Sequence, residues 1–155
     1  LEACEGMDAV VLIHTGTTRM TYSKIRTCNP ISIDDIATDF PNLKIIMTHF
    51  GWPWTAEALA TIWRHENVYL DLSGWLPKYI YQAEPIVFHY MNSILSDKFV
   101  YGSDYPAIDP TTWIDDFMEI VKNGYVWGNN KKEFRQEAID KFFRHNAVKL
   151  LGLDE

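Results

Sequence analysis

The sequence has little cysteine and no cysteine pattern. Its two cysteines, Cys4 and Cys28, form no Cys-x-x-Cys pair and are too few for a disulfide framework. This scarcity excludes the class of small secreted domains that disulfides hold together, and it is typical of a reducing compartment. We therefore expect a cytoplasmic protein.

Long apolar runs are also absent. No segment approaches the ~20 consecutive apolar residues of a membrane-spanning helix. The acidic opening LEACE has none of the features of a signal peptide, so we expect no membrane partner. The first residue is Leu1 rather than a methionine, and we expect these residues to begin partway along a longer protein.

Basic side chains are in the minority. The chain has 14 Lys and Arg against 21 Asp and Glu, a formal net charge of −7. A surface of this sign repels phosphate backbones, so nucleic acid is excluded as an expected partner. With 47% hydrophobic and 23% charged residues, the 155-residue chain can build the core of one ordinary domain.

Four short runs rich in β-branched and aromatic residues alternate with helical patterns. The predicted strands cover residues 9–13, 43–48, 68–72 and 98–101. The predicted helices cover residues 33–39, 55–65, 83–95, 111–121 and 131–143, and Gly152 closes a last segment. Apolar residues in the strands are continuous, as in buried parallel strands. The pattern therefore predicts an α/β protein with a parallel sheet.

Potential ligands lie where the predicted strands end. His14 and His49 directly follow the first and second strands, and Asp104 follows the fourth. Asp71 lies within the end of the third. The carboxyl ends of parallel strands meet at one edge, both in a (β/α)8 barrel and in a doubly wound sheet. We expect the four side chains to lie together, and this step leaves both folds open.

Two imidazoles and a carboxylate are donors that suit a divalent metal, with zinc the first expectation and manganese the alternative. For each residue a purely structural role competes, as a satisfied core histidine or as an aspartate that caps the following turn. The other histidines fall within or at the ends of predicted helices, and we assign them no chemistry: His65, His89 and His145.

The sequence segments at the strand ends resemble those of a known family. The segments are VLIHTG at 11–16, FPNLK at 40–44, THFGWP at 48–53, YLDLSGW at 69–75 and YGSDYP at 101–106. In this order and spacing they resemble the amidohydrolase-related family, which includes aminocarboxymuconate-semialdehyde decarboxylase and γ-resorcylate decarboxylase. The resemblance implies that residues 1–155 are one partial domain, the C-terminal half of a TIM (β/α)8 barrel. This half would comprise strands five to eight and the C-terminal helices.

The resemblance also implies roles for the residues at the strand ends. His14 and Asp104 match the metal ligands after the fifth and eighth strands, and we expect Asp104 also to move a proton in catalysis. His49 resembles the family's catalytic acid/base histidine, which acts on water or substrate and is not itself a ligand. A divalent ion lowers the pKa of water towards ~7, near which imidazole is a natural proton acceptor. Asp71 would orient a ligand from behind, or else be a buried structural acceptor.

Substrate contacts are expected from the loop after the first strand and from nearby tryptophans. Arg19, Lys24 and Arg26 are cations in an acidic chain, and we expect Arg19 to bind a substrate carboxylate. A solvated loop face is the alternative. Trp52 and Trp75 are predicted to wall the pocket, or else to pack in the core.

The sequence departs from the family pattern in one respect. The family's first strand supplies a His-x-His pair, and no His-x-His occurs here. Two expected ligands are therefore missing, and we expect these residues alone to bind metal weakly and to be inactive.

Two functions follow as alternatives. The first is an enzyme, either a metal-dependent hydrolase using metal-activated water or a non-oxidative decarboxylase, acting on a small carboxylated or aromatic molecule. The second is a catalytically incomplete half-barrel that needs a partner half. Half a barrel leaves strand edges and apolar faces uncovered, so a homodimer is among the expected partners.

Overall fold

The structure is a computed structural model and describes residues 1–153. Its centre is a parallel sheet of four strands, β1 (Val10–His14), β2 (Lys44–Thr48), β3 (Val68–Asp71) and β4 (Phe99–Val100). Six helices flank or connect these strands: α1 (Glu2–Gly6), α2 (Ile31–Asp39), α3 (Thr55–Arg64), α4 (Pro77–Ala83), α5 (Pro85–Met91) and α6 (Pro110–Asn123). The hairpin of β5 (Tyr125–Trp127) and β6 (Asn130–Lys132) leads to α7 (Gln136–Asp140), a π-helical turn (Lys141–His145) and α8 (Asn146–Leu151).

The order of the strands distinguishes the two folds that the sequence leaves open. Neighbours in the sheet follow chain order, β1-β2-β3-β4, and every pair is parallel. A doubly wound sheet reverses its order at a switch point, and the described strands contain no such reversal. The predicted α/β class with a parallel sheet is confirmed, and the order is that of consecutive barrel units.

The core lies on one face of this sheet. Ile45, Met47 and Leu70 are fully buried there, in one cluster with apolar side chains of α2, α3, α5 and α6. On the opposite face Leu12 is 64% exposed, and Ile46 is only half-buried. The continuous apolar runs predicted burial on both faces, which is wrong for Leu12, because no layer among the described residues covers that side.

Helix α6 shows how the sequence produces the core-facing elements. The carboxylate of Asp109 accepts a hydrogen bond from the backbone N–H of Thr112 at 3.0 Å and so caps the first turn. Pro110 occupies the first helical position, where no N–H is needed. Trp113, Phe117 and Ile120 recur at helical spacing and are buried.

None of the helices described in residues 1–153 is long and apolar enough to cross a membrane.

Two predicted helices differ from the structure by more than two residues at one end. The helix predicted over 83–95 is instead α5, which begins at Pro85 and ends at Met91, and α4 precedes it unpredicted. Pro85 cannot continue α4, because its ring disfavours helical geometry at the residue before it; Glu84 accordingly has φ −140°.

The helix predicted from residue 131 is wrong at its start. Residues 130–132 form β6, which pairs antiparallel with β5 across a turn at Gly128 and Asn129. Gly128 has φ +60°, the conformation that a two-residue hairpin turn requires and that glycine adopts freely. The run Tyr125–Trp127 followed by Gly-Asn was a hairpin signal.

The predicted role of Gly152 as the residue that ends the last helix is confirmed by its left-handed φ of +63°.

The side chain of Asn146 ties the C-terminal helices to the sheet. Its Nδ2 donates to the backbone oxygens of Ser96 at 2.8 Å and Phe99 at 2.7 Å. The residue is 4% exposed, so water cannot replace these hydrogen bonds. The link holds α8 against the segment that contains β4.

We expect Asn146→Ala in the full-length protein to lower the free energy of unfolding by about 2 to 4 kcal/mol, because two buried carbonyls lose their donor. Chemical denaturation followed by circular dichroism measures the change. The matched control is Asn123→Ala, which removes an exposed side chain bonded only within α6 and is expected to change stability by less than about 0.5 kcal/mol. Equal effects from the two variants would contradict this role of Asn146.

Candidate active site

A cleft of about 490 Å³ opens at the carboxyl ends of the four strands. Each strand contributes to its lining, through His14, His49, Asp71 and Asp104, four residues singled out in the sequence. These residues converge because they lie at or just after the strand ends, and parallel strands in register end at the same edge of the sheet. The structure therefore brings together the residues expected to carry chemistry.

His14 is the last residue of β1, and its ring meets the ring of His49 edge to face, with centroids 4.8 Å apart. The loop that follows is tied to the end of β2, because the hydroxyl of Thr15 donates to the Thr48 carbonyl at 2.6 Å. Partial burial lowers the pKa of His14 and the neighbouring His49 lowers it further, while Asp104 opposes the shift. The neutral imidazole, which is the form that binds metals, is thereby favoured.

His49 and Asp104 both have backbone conformations that are rare for residues other than glycine. His49 has φ +65° and Asp104 has φ +73°. Such conformations cost on the order of 1–3 kcal/mol each and are concentrated at functional sites. Here they turn the chain sharply at the ends of β2 and β4, which directs both residues into the cleft lining.

Asp71 organises the back of the cleft. Its Oδ1 accepts hydrogen bonds from the backbone N–H of His49 at 2.9 Å, from the backbone N–H of Ser73 at 2.9 Å and from the Ser73 hydroxyl at 2.6 Å. The Ser73 Oγ also lies 2.9 Å from Nδ1 of His49. A single buried carboxylate oxygen therefore fixes the end of β2, the turn after β3 and, through Ser73, the imidazole of His49.

Sequence reasoning missed Ser73. An aspartate followed two residues later by serine and then glycine is typical of a turn in which the carboxylate binds its own downstream N–H, and Asp71 and Ser73 have this geometry. That local signal was available in the sequence. The contact between Ser73 and His49, 24 residues apart in the chain, had no sequence signal, because only the pairing of β2 with β3 creates it.

The donors in the cleft match a divalent metal in kind but not in number. The imidazoles and the carboxylate are suitable ligands. Among residues 1–153, however, no group of three or more His, Cys, Asp or Glu side chains is arranged to hold a metal ion. The described residues therefore do not make a complete metal site by themselves, in keeping with the missing His-x-His pair.

The expected substrate contacts lie outside the lining of this cleft. Arg19 is exposed in the loop after β1. Trp52 and Trp75 pack on one another with ring centroids 5.0 Å apart, and Trp75 also meets the buried ring of Phe50. The two tryptophans therefore pack as aromatic neighbours beside the cleft. A role in substrate binding stays a prediction for Arg19, Trp52 and Trp75.

Fold and site together define a class of protein. Consecutive parallel βα units with histidines and aspartates at the strand ends are the architecture of enzymes built on the (β/α)8 barrel. Residues 1–153 contain four consecutive strands of this kind. Comparison with known proteins identifies the family within this class.

The chain belongs to the Amidohydrolase family, whose model matches residues 1–153. Among curated proteins it is similar to Protein fluG of Emericella nidulans, with 26% identity over 151 residues, 92% of this chain and 17% of the relative. The predicted membership of the amidohydrolase superfamily is confirmed by this match.

Solved structures support the barrel architecture. The uncharacterized TIM-barrel protein Bb4693 of Bordetella bronchiseptica has a TM-score of 0.77 at 25% identity, over 97% of this chain and 48% of its own. Dihydroorotase from Campylobacter jejuni has a TM-score of 0.70 at 17% identity, over 100% of this chain and 51% of its own. The chain thus spans about half the length of these structures, and its fold is that of a partial TIM barrel.

We expect Asp71→Ala to lower the free energy of unfolding by about 2 to 4 kcal/mol, because the donors on His49 and Ser73 lose a buried acceptor. Asp71→Asn keeps an oxygen at that position and should cost less. Denaturation of the full-length variants measures both, with the exposed Asp115→Ala as the control. A loss for Asp71→Ala no larger than that for Asp115→Ala would show that the carboxylate does not organise the cleft.

Proposed function

We propose that these residues form the C-terminal half of the active site of a metal-dependent hydrolase. The observation that carries the proposal is the convergence of His14, His49 and Asp104 in one cleft of a chain that belongs to the Amidohydrolase family. Amide or ester hydrolysis needs a nucleophile made from water and a group that moves protons. This half of the site offers residues for both tasks.

A divalent metal, zinc in the first place and manganese as the alternative, would activate a water molecule and polarise the bond to be broken. His14 and Asp104 are its proposed ligands. Both lie at the cleft, and the lowered pKa of His14 favours the neutral ligand form. The remaining ligands would come from outside the described residues, since these contain no complete set.

His49 is the proposed proton acceptor and donor. Its ring lies beside that of His14, close enough to act on water or substrate held next to a ligand at that position. Its backbone N–H and its Nδ1 are engaged with Asp71 and Ser73, so the ring is held from behind and Nε2 is the nitrogen left for chemistry. Asp104, which follows the last strand of the sheet, β4, is proposed to assist in moving protons.

The substrate is proposed to be a small molecule that carries a carboxylate. A chain of net charge −7 needs local cations to attract such an anion, and Arg19 is the proposed contact. Trp52 and Trp75, which pack on one another, are proposed to wall the substrate pocket. The motifs that resemble the decarboxylases of this family support non-oxidative loss of CO₂ at the same site as the alternative reaction.

A catalytically incomplete half-barrel is the second candidate. It is favoured by the exposed Leu12 on a sheet face that a complete barrel would bury, and by the absence of a three-ligand metal group among residues 1–153. In that case the chain acts only when a second half, from the same protein or from a second copy, covers that face.

We expect His14→Ala in the full-length protein to lose bound metal and activity together, whereas His49→Gln keeps the metal and loses turnover by roughly 10²- to 10⁴-fold, the usual contribution of a general acid/base. Metal per chain is measured by inductively coupled plasma mass spectrometry, and turnover with a panel of carboxylate-bearing amides, esters and aromatic acids. Release of CO₂ without water consumption separates decarboxylation from hydrolysis.

The matched control is His145→Gln, an exposed histidine far along the chain, which should change neither quantity. Residues 1–155 expressed alone should hold metal weakly and show no turnover. Tight binding of one metal per chain by this piece, with turnover at the full-length rate, would refute the proposed division of the site.

A further inference from the structure

The hydroxyl of Ser73 lies between two groups of the cleft, and the proposal above uses it only to hold the ring of His49. It is 2.6 Å from Oδ1 of Asp71 and 2.9 Å from Nδ1 of His49. Ser73 is 4% exposed, so bulk water does not compete for these contacts. A hydroxyl has one proton to donate, and it can donate to only one of these two neighbours.

The other contacts of Asp71 decide where that proton points. Oδ1 also receives the backbone N–H groups of His49 and Ser73, so it acts as an acceptor throughout. The 2.6 Å contact is therefore a donation from the Ser73 hydroxyl to the carboxylate. The serine oxygen then faces His49 with lone pairs only, and the hydrogen of that contact must be carried by Nδ1 of His49.

Close backbone packing holds the imidazole in this position. Gly74 has φ +83°, and a Cβ placed on it would lie 2.7 Å from Nδ1 of His49. A Cβ on Gly102 would lie 3.3 Å from Oδ2 of Asp71 and 3.6 Å from Cβ of Ser73. The backbone at Gly74 therefore leaves little room for the ring of His49 to turn over, and the backbone at Gly102 packs against Asp71 and Ser73.

We propose that Ser73 is a positioning residue that fixes His49 as its Nδ1–H tautomer, with Nε2 unprotonated and available to accept a proton in the cleft. The tautomer itself follows from the hydrogen bonds, and only its consequence for turnover rests on the proposed function. Without the serine hydroxyl, Nδ1 has no fixed acceptor, and both neutral tautomers become accessible. The Nε2–H form cannot accept a proton at the position where the reaction needs one.

The first test is the tautomer of His49 in the unmodified, full-length, metal-free protein. Long-range ¹H–¹⁵N correlation spectra of protein labelled at histidine, recorded at an alkaline pH where imidazole is neutral, distinguish a protonated from an unprotonated ring nitrogen. Assignment uses the His49→Gln variant. We expect a protonated Nδ1 and an unprotonated Nε2. A protonated Nε2 overturns the proposal without reference to any variant of Ser73 or to activity.

The second test compares Ser73→Ala with Ser73→Thr, which keeps the hydroxyl. Ser73→Ala should give a mixture of the two tautomers, whereas Ser73→Thr should keep the Nδ1–H form. Ser96→Ala is the control, since Ser96 is equally buried and precedes β4 away from the cleft. An unchanged His49 spectrum in Ser73→Ala overturns the proposal.

Turnover supplies the functional readout. Ser73→Ala should lower kcat by roughly 10- to 100-fold, as loss of an outer hydrogen-bond partner commonly does, with little change in KM and no change in metal content. Ser73→Thr should restore most of kcat. An unchanged kcat in Ser73→Ala refutes the role of Ser73 in turnover. If the unmodified protein turns over no substrate of the panel, the proposed function fails, and the tautomer spectra still decide the assignment of Ser73.

Discussion

One carboxylate oxygen, Oδ1 of Asp71, is the point on which the geometry of the cleft depends. It accepts the backbone N–H of His49, the backbone N–H of Ser73 and the Ser73 hydroxyl. These hydrogen bonds join two adjacent strand ends that the sheet alone would leave free to turn in several ways. A buried carboxylate with fewer partners would be destabilising. Its burial is therefore compatible with stability because three donors meet this one oxygen.

The network also makes the left-handed backbone of His49 tenable. A residue with φ +65° would relax towards ordinary conformations unless its surroundings held it. The bond from its N–H to Asp71 and the buried side chain of Phe50 after it supply that restraint. The Ser73 hydroxyl, bonded to the same Asp71 oxygen, meets Nδ1 of His49, so one network restrains both the backbone and the imidazole of His49.

The sheet has a covered face and an open face, and the cleft of the proposed metal site lies on the open side, where Leu12 is part of its lining. The core of residues 1–153 is built on the helix-facing side, while Leu12 on the other side is 64% exposed. In a closed barrel that second face points to the interior. Groups that complete the metal site and layers that bury Leu12 would come from the same place, the half of the barrel that the described residues do not contain.

Much of this could be predicted from the sequence, because it depends on local patterns. The four strands, their parallel class and the gathering of His14, His49, Asp71 and Asp104 at one edge follow from apolar runs that end in polar residues. The prediction missed the hairpin at 125–132 and the break at Pro85. In these segments glycine and proline determine the structure more strongly than the helical composition does. The contact of Ser73 with His49 depends on the register of β2 with β3, which single residues do not encode.

The central claim is that His14 is a metal ligand whereas His49 moves protons and does not bind the metal, and anomalous diffraction from crystals of the full-length protein loaded with zinc tests it most directly. The claim predicts one ion with the imidazole nitrogen of His14 at about 2.0–2.1 Å and a carboxylate oxygen of Asp104 at about 2.0–2.2 Å, while the ring of His49 stays bonded to Ser73 and beyond bonding distance of the ion. An ion bonded to His49, or one that leaves His14 and Asp104 unbound, would contradict it.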